Sequence, residues 1–137
     1  MPPKIIVQNV SKSFPVGGGS LPVIDRVSFE VADNELVALV GPSGCGKSTL
    51  MNIVAGFDRP DGGSVTTDGE PRRAPSPKGI LISQHGSVFP WLTVQQNLMF
   101  GLNGHSSGEK LALADHYAAM VGLKGFEASY PRELSGG

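Results

Sequence analysis

Eight consecutive residues, Gly41-Pro42-Ser43-Gly44-Cys45-Gly46-Lys47-Ser48, follow the spacing G-x-x-x-x-G-K-[ST], and each has a chemical use at its place. Glycines let the backbone turn so that successive N–H groups point inward and form a nest for anionic oxygens. A helix that starts at Lys47 adds the unpaired amides of its first turn and the positive end of its dipole. Lys47 brings a cation to β- and γ-phosphates, and the Ser48 hydroxyl is a hard oxygen ligand for Mg²⁺. The plainer alternative is a glycine-rich structural turn. A helix N-terminus also lowers the pKa of a thiol, but the place of Cys45 inside the loop argues against a redox or nucleophilic role.

Such a loop works only between a strand that delivers it and a helix that follows it. The residues on either side fit both. Leu36-Val37-Ala38-Leu39-Val40 is an uninterrupted apolar run, as in a strand buried on both faces of a parallel sheet. After it, Leu50, Met51, Ile53 and Val54 form a helical stripe that ends at Gly56. Residues 4–10 read as a first strand, Ser13-Phe14-Pro15 and the glycines at 17–19 as a loop, and Val27, Phe29 and Val31 as an alternating strand. A turn at residues 60–63 leads to a short strand at 64–67, then a turn at Asp68-Gly69. Residues 70–79 read as an exposed loop in which Arg72 and Arg73 form a solvated face, and 80–82 as a further strand. Thr93 and Gln96 form a capping box that opens a helix running to about Phe100. Asn103 to Gly108 reads as a loop, and Leu111, Ala114, Ala118 and Val121 as a helical stripe ending at Gly122. The expectation is an α/β part over residues 1–84 and a mainly helical part over 85–137.

Composition narrows the partners. The 137 residues carry 11 Lys and Arg against 12 Asp and Glu, a net charge of −1, which makes nucleic acid an unexpected partner. One cysteine excludes a disulfide framework and a cysteine-based metal site, and fits a reducing compartment. His85, His105 and His116 lack ligand spacing. Apolar runs are too short to span a membrane, and the first residues lead into a strand-like run with no signal-peptide pattern.

The segment from Gly41 through Ser48, Thr49 and Leu50 resembles the Walker A stretch of ABC-transporter ATPase subunits. Leu134-Ser135-Gly136-Gly137 looks like the start of that family's LSGGQ signature, and Tyr130-Pro131-Arg132-Glu133 like its lead-in. Gln84 resembles the Q-loop glutamine. Phe89-Pro90-Trp91-Leu92-Thr93-Val94 is similar to the opening of the helical subdomain in importers of nitrate, sulfonate and taurine. The resemblance implies an α/β P-loop NTPase fold with an antiparallel β subdomain, a partial RecA-like parallel core and an α-helical subdomain, truncated inside the signature.

It also implies ATP with Mg²⁺, bound by residues 41–49. Phe14 would stack on adenine or, more plainly, pack on the sheet. Gln84 would join Ser48 at Mg²⁺ or hold the attacking water, unless it is an ordinary polar residue after a strand. Ser135, Gly136 and Gly137 would meet the γ-phosphate held by another subunit, or form a simple turn. Trp91 reads as a buried or partner-facing aromatic.

The implied partners are transmembrane permease subunits, a second ATPase subunit arranged head to tail and, indirectly, a solute-binding protein. The implied location is the cytoplasmic face of the membrane. A nucleotide switch or kinase outside transport is the alternative. Asn34 stands where the family has glycine, a place where asparagine tolerates a left-handed backbone. Ser83 replaces an aromatic before the Q-loop glutamine. The Walker B acids and switch histidine, which follow the signature in the family, have no counterpart. Residues 111–115, ending in Asp115, precede the signature and have helical composition, so they do not supply the acid. The expectation for this chain is ATP binding that is weak at best, with negligible hydrolysis.

Overall fold

A computed structural model describes residues 3–83 and 86–134. Their contacts divide the chain into two units, Met1–Leu81 and Ile82–Gly137.

The first unit is built on an antiparallel sheet of strands β1 (Ile5–Val16), β2 (Gly19–Val31), β3 (Gly62–Thr67) and β4 (Glu70–Pro71), in the order β2-β1-β3-β4. The first strand is longer than its sequence suggests. It runs through Ser13-Phe14-Pro15, read above as loop, because Gly17 (φ 55°) and Gly18 (φ 83°) make a two-residue hairpin that pairs Val16 with Gly19. Pro15 is tolerated there because pairing of β1 with β3 ends at Ser11–Gly62, so its missing N–H interrupts no second ladder. The register shifts near Asn9, whose φ is 48° and whose N–H reaches the Ser28 hydroxyl at 2.8 Å. Such a bulge bends the strand and lets the sheet wrap its core. Asp68 (φ 52°) and Gly69 (φ 78°) close the β3–β4 hairpin, as their residue types predict.

Helix α1 (Lys47–Ala55) covers the sheet. Leu50 and Ile53 join Val7, Val10, Ile24 and Val65 in one buried cluster, with Val54 packed at its margin. Gly56 ends the helix in the left-handed conformation at φ 85°, its N–H bonded to Ile53 at 3.1 Å, as the sequence indicates.

Two expected strands do not form. Residues 36–40 and 80–82 carry no strand assignment, and Leu36, Val40 and Ile80 are 96, 93 and 87% exposed. A parallel core strand takes its hydrogen bonds from neighbouring strands and its burial from covering helices. Among the described residues, no strand pairs with either run. The parallel part of the expected core is therefore not assembled. The turn before it is as expected: Asn34 has φ 59°, a conformation asparagine adopts readily.

The second unit contains α2 (Val94–Phe100), α3 (Ser107–Met120) and a 3-10 turn at Pro131–Glu133. Helix α2 begins at the predicted Thr93–Gln96 capping box. Helix α3 begins earlier than the stripe suggests, because Ser106 and Glu109 form a second capping box within the segment read as loop. Ala114 and Ala118 are its buried residues, while Leu111 and Val121 at the ends of the same stripe are exposed. Among the described residues no helix is long and apolar enough to cross a membrane.

Candidate functional site

The loop at residues 41–46 is shaped by its glycines. Gly44 (φ 80°) and Gly46 (φ 91°) hold left-handed conformations that turn the chain into α1. Gly46 also lies against β2: a Cβ there would stand 2.8 Å from the Val23 carbonyl oxygen and 2.9 Å from its Cγ1. At Gly41 a Cβ would stand 2.9 Å from Cys45 Sγ. The second glycine lets the helix start close to the sheet, and the first lets the loop fold over its own thiol.

Helix α1 opens without a side-chain cap, since Gly46 occupies the N-cap position. The first intrahelical bond runs from the Leu50 N–H to Gly46 O at 2.9 Å. The amides of Lys47, Ser48 and Thr49 therefore have no partner within the helix and concentrate positive potential at its start. Helices α2 and α3 differ, since capping boxes satisfy donors at their starts.

Lys47 folds back over the loop. Its ammonium donates to the carbonyls of Gly41 and Pro42, both at 2.7 Å, and lies 3.6 Å from Cys45 Sγ. A cation, three helix-start amides and a glycine-turned backbone thus share one short segment. This arrangement fits a polyphosphate, because its donors are fixed and its charge is positive. Ser48, at the second helical position, is exposed and offers a hydroxyl oxygen. That donor set suits Mg²⁺, which takes few protein ligands when phosphates and water supply the rest.

Phe14 is on strand β1, near its hairpin end, and not on a loop; its ring is 37% exposed. Lys12 Nζ lies 5.4 Å from the ring centroid. Lys12 is itself a hub that the sequence does not reveal. Its ammonium donates to Asp58 Oδ1 at 3.0 Å and Arg59 O at 2.7 Å, and lies 3.7 Å from Asp61 Oδ1. This ion pair, with the Arg59 N–H, holds the Asp58 carboxyl below the usual carboxylate range. The hub ties β1 to the connection between α1 and β3. Gln84, Ser135, Gly136 and Gly137 lie outside the described residues, and so does His85.

In the second unit, the loop before α2 is fastened by Asn97. Its Nδ2 is 3.0 Å from the carbonyls of Phe89, Leu92 and Thr93, and its Oδ1 accepts the Phe89 N–H at 2.7 Å. The Phe89 ring meets Phe100 at 4.4 Å and Trp91 at 5.5 Å between centroids, and Trp91 is 68% exposed. Asn97 had no signal beyond its place one residue after the capping box. Asp115 lies on α3, where its Oδ1 accepts a bond from Gln95 Nε2 at 3.2 Å, consistent with its exclusion as a Walker B acid.

The fold and the loop define a P-loop nucleotide-binding class. The family model described as ABC transporter matches residues 24–137, and the chain belongs to that family. A putative ATP-binding protein of Brucella abortus is 45% identical over all of this chain and 52% of its own length. The nitrate import ATP-binding protein NrtD of Synechocystis is 39% identical, covering 96% of this chain and 50% of the relative. The aliphatic sulfonates import ATP-binding protein SsuB of Bacillus thuringiensis is 40% identical over 97% of this chain and 53% of the relative. The chain thus spans about half the length of the curated relatives it matches. A dimeric ATP-binding cassette solved in a post-hydrolysis state with ADP and Pi is similar at a TM-score of 0.82 and 26% identity, over 96% of this chain and 63% of that one.

Proposed function

We propose that this chain supplies the ATP-binding part of the energy-coupling subunit of an ABC importer. The observation that carries the proposal is the Lys47 ammonium gathered over a glycine-turned loop at an uncapped helix start. In this reading, residues 41–49 cradle the phosphates and Lys47 turns from the loop carbonyls to the β- and γ-phosphates. Ser48 and Gln84 serve Mg²⁺, and Phe14 offers its exposed ring to the adenine. Ser135, Gly136 and Gly137 complete the site of a second subunit arranged head to tail. Residues 1–84 act as the nucleotide-binding part, and 85–137 as the part that couples to transmembrane permease subunits at the cytoplasmic face of the membrane. A solute-binding protein delivers cargo to those permeases. Relatives named for import of nitrate and aliphatic sulfonates support an anionic solute of that type, in agreement with the Phe89-Pro90-Trp91-Leu92 segment.

The 137-residue chain binds Mg-ATP in this reading but does not turn it over. In this reading residues 41–49 offer an ammonium and hydroxyls but no Asp or Glu of their own, so the loop alone supplies no carboxylate to orient water. The test is release of inorganic phosphate by the purified chain, beside displacement of a fluorescent ATP analogue. Displacement by ATP and ADP but not AMP, with no turnover, is the expected result. Turnover abolished by Lys47→Ala would overturn the second half and make Asp115 the first residue to re-examine.

A further inference from the structure

A concavity of about 560 Å³ opens in the first unit beside β3 and β4, and none of its lining residues belongs to the loop at 41–49. Its wall carries Arg59, Arg72 and Arg73, the hydroxyls of Ser64 and Thr66, and no Asp or Glu. That is three positive charges in one hollow of a chain whose net charge is −1. None of the three arginines forms an ion pair among the described residues.

The reason for Arg59 is specific. The carboxylates that flank it, Asp58 and Asp61, are turned to Lys12, and Asp61 Oδ2 also accepts the Ser13 N–H at 2.7 Å. Arg72 and Arg73 are held by backbone. The Arg72 N–H donates to Val65 O at 2.8 Å, and the absence of a side chain at Gly56 lets Ala74 and Pro75 close on the end of α1. Arg72 Nε lies 3.4 Å from Thr67 Oγ1, and among the described residues its terminal nitrogens donate to no other group.

We propose that this concavity binds a small molecule bearing two or more oxyanion groups, at a site separate from the phosphate loop. Guanidinium groups pair with carboxylate or phosphate oxygens in two-pronged geometry, and the volume falls within the ~300–1,000 Å³ usual for small-ligand pockets. Carboxylates and phosphates share this chemistry. The inference does not rest on the proposed role of the loop.

The experiment is calorimetric titration of the whole chain with inorganic pyrophosphate and, separately, citrate. The chain, Lys47→Ala, the double variant Arg72→Gln/Arg73→Gln, and Lys78→Gln as a charge control are compared, with thermal unfolding as the fold check. The expected result is binding that persists in Lys47→Ala and Lys78→Gln but weakens at least about tenfold in the double variant. The probe that binds identifies the ligand as phosphate-like or carboxylate-like. If the double variant unfolds, the exposed single change Arg73→Gln takes its place. Binding by neither probe, loss in Lys47→Ala alone, or equal loss in Lys78→Gln would overturn the proposal. A loop that fails to bind phosphate would instead leave Lys47→Ala without effect on a site the arginines still govern.

Discussion

Lys47 has two sets of partners to choose between: the carbonyls of Gly41 and Pro42, and the phosphates that the loop is shaped to receive. Both are oxygen acceptors, but only phosphate also answers the positive charge of the helix start. Lys47→Ala should therefore weaken Mg-ATP binding by roughly 100-fold, since charge-assisted bonds are worth about 1.5–3 kcal/mol each. Phe14→Ala removes a stacking face worth about 1–3 kcal/mol and should weaken it less. Equal losses in calorimetry on folded variants would contradict that ranking. The residue types of this loop were legible because a phosphate nest needs glycines and one lysine at fixed steps. Lys12, Asp58 and Asp61 were not, because they meet only through the pairing of β1 with a distant connection. Gly46→Ala offers a second test at this scale. Its left-handed φ of 91° and the Val23 oxygen 2.8 Å from the added Cβ should destabilise the chain by about 2 kcal/mol or more in urea unfolding.

At the scale of elements, local signals were read well and long-range ones were not. The turn at Asp68-Gly69 and the Thr93 cap are decided by a few adjacent residues, whereas the Gly17-Gly18 hairpin lies in a segment read as loop because its strands pair beyond it. The Ser106–Glu109 box is equally local but was hidden inside a polar segment read as loop. Residues 36–40 and 80–82 have the composition of buried strands, yet a strand needs neighbours, and composition cannot supply them. The box on α3 makes a prediction about pH. Backbone and hydroxyl donors of Ser106 hold the Glu109 carboxyl below the usual carboxylate range. A depressed carboxyl contributes stability above its unfolded pKa and loses it as pH falls through the folded one. Helicity followed by circular dichroism should decline in the native chain as acidification carries the pH down through the lowered pKa of Glu109. Glu109→Gln, which still caps, should remove that part of the decline; an identical acid profile would contradict the assignment.

For the whole molecule, the family, the similarity to a solved cassette and the loop geometry agree on one nucleotide-binding fold, built here from an antiparallel sheet capped by α1 and a separate helical unit. Long exposed apolar residues such as Leu36 and Val40 sit just before the loop, whose Lys47 ammonium donates to the Gly41 and Pro42 carbonyls and whose Gly46 lies against Val23 of β2. Nucleotide binding should thus depend on α1 and on the close approach of Gly46 to β2. The most direct measurement is the movement of assigned backbone amide resonances as Mg-ATP is added to the isotopically labelled chain. The largest shifts should fall on Gly44, Gly46, Lys47, Ser48 and Thr49, and they should disappear in Lys47→Ala. Shifts centred on another segment, or none at saturating nucleotide, would contradict the assignment of this loop as the ATP site.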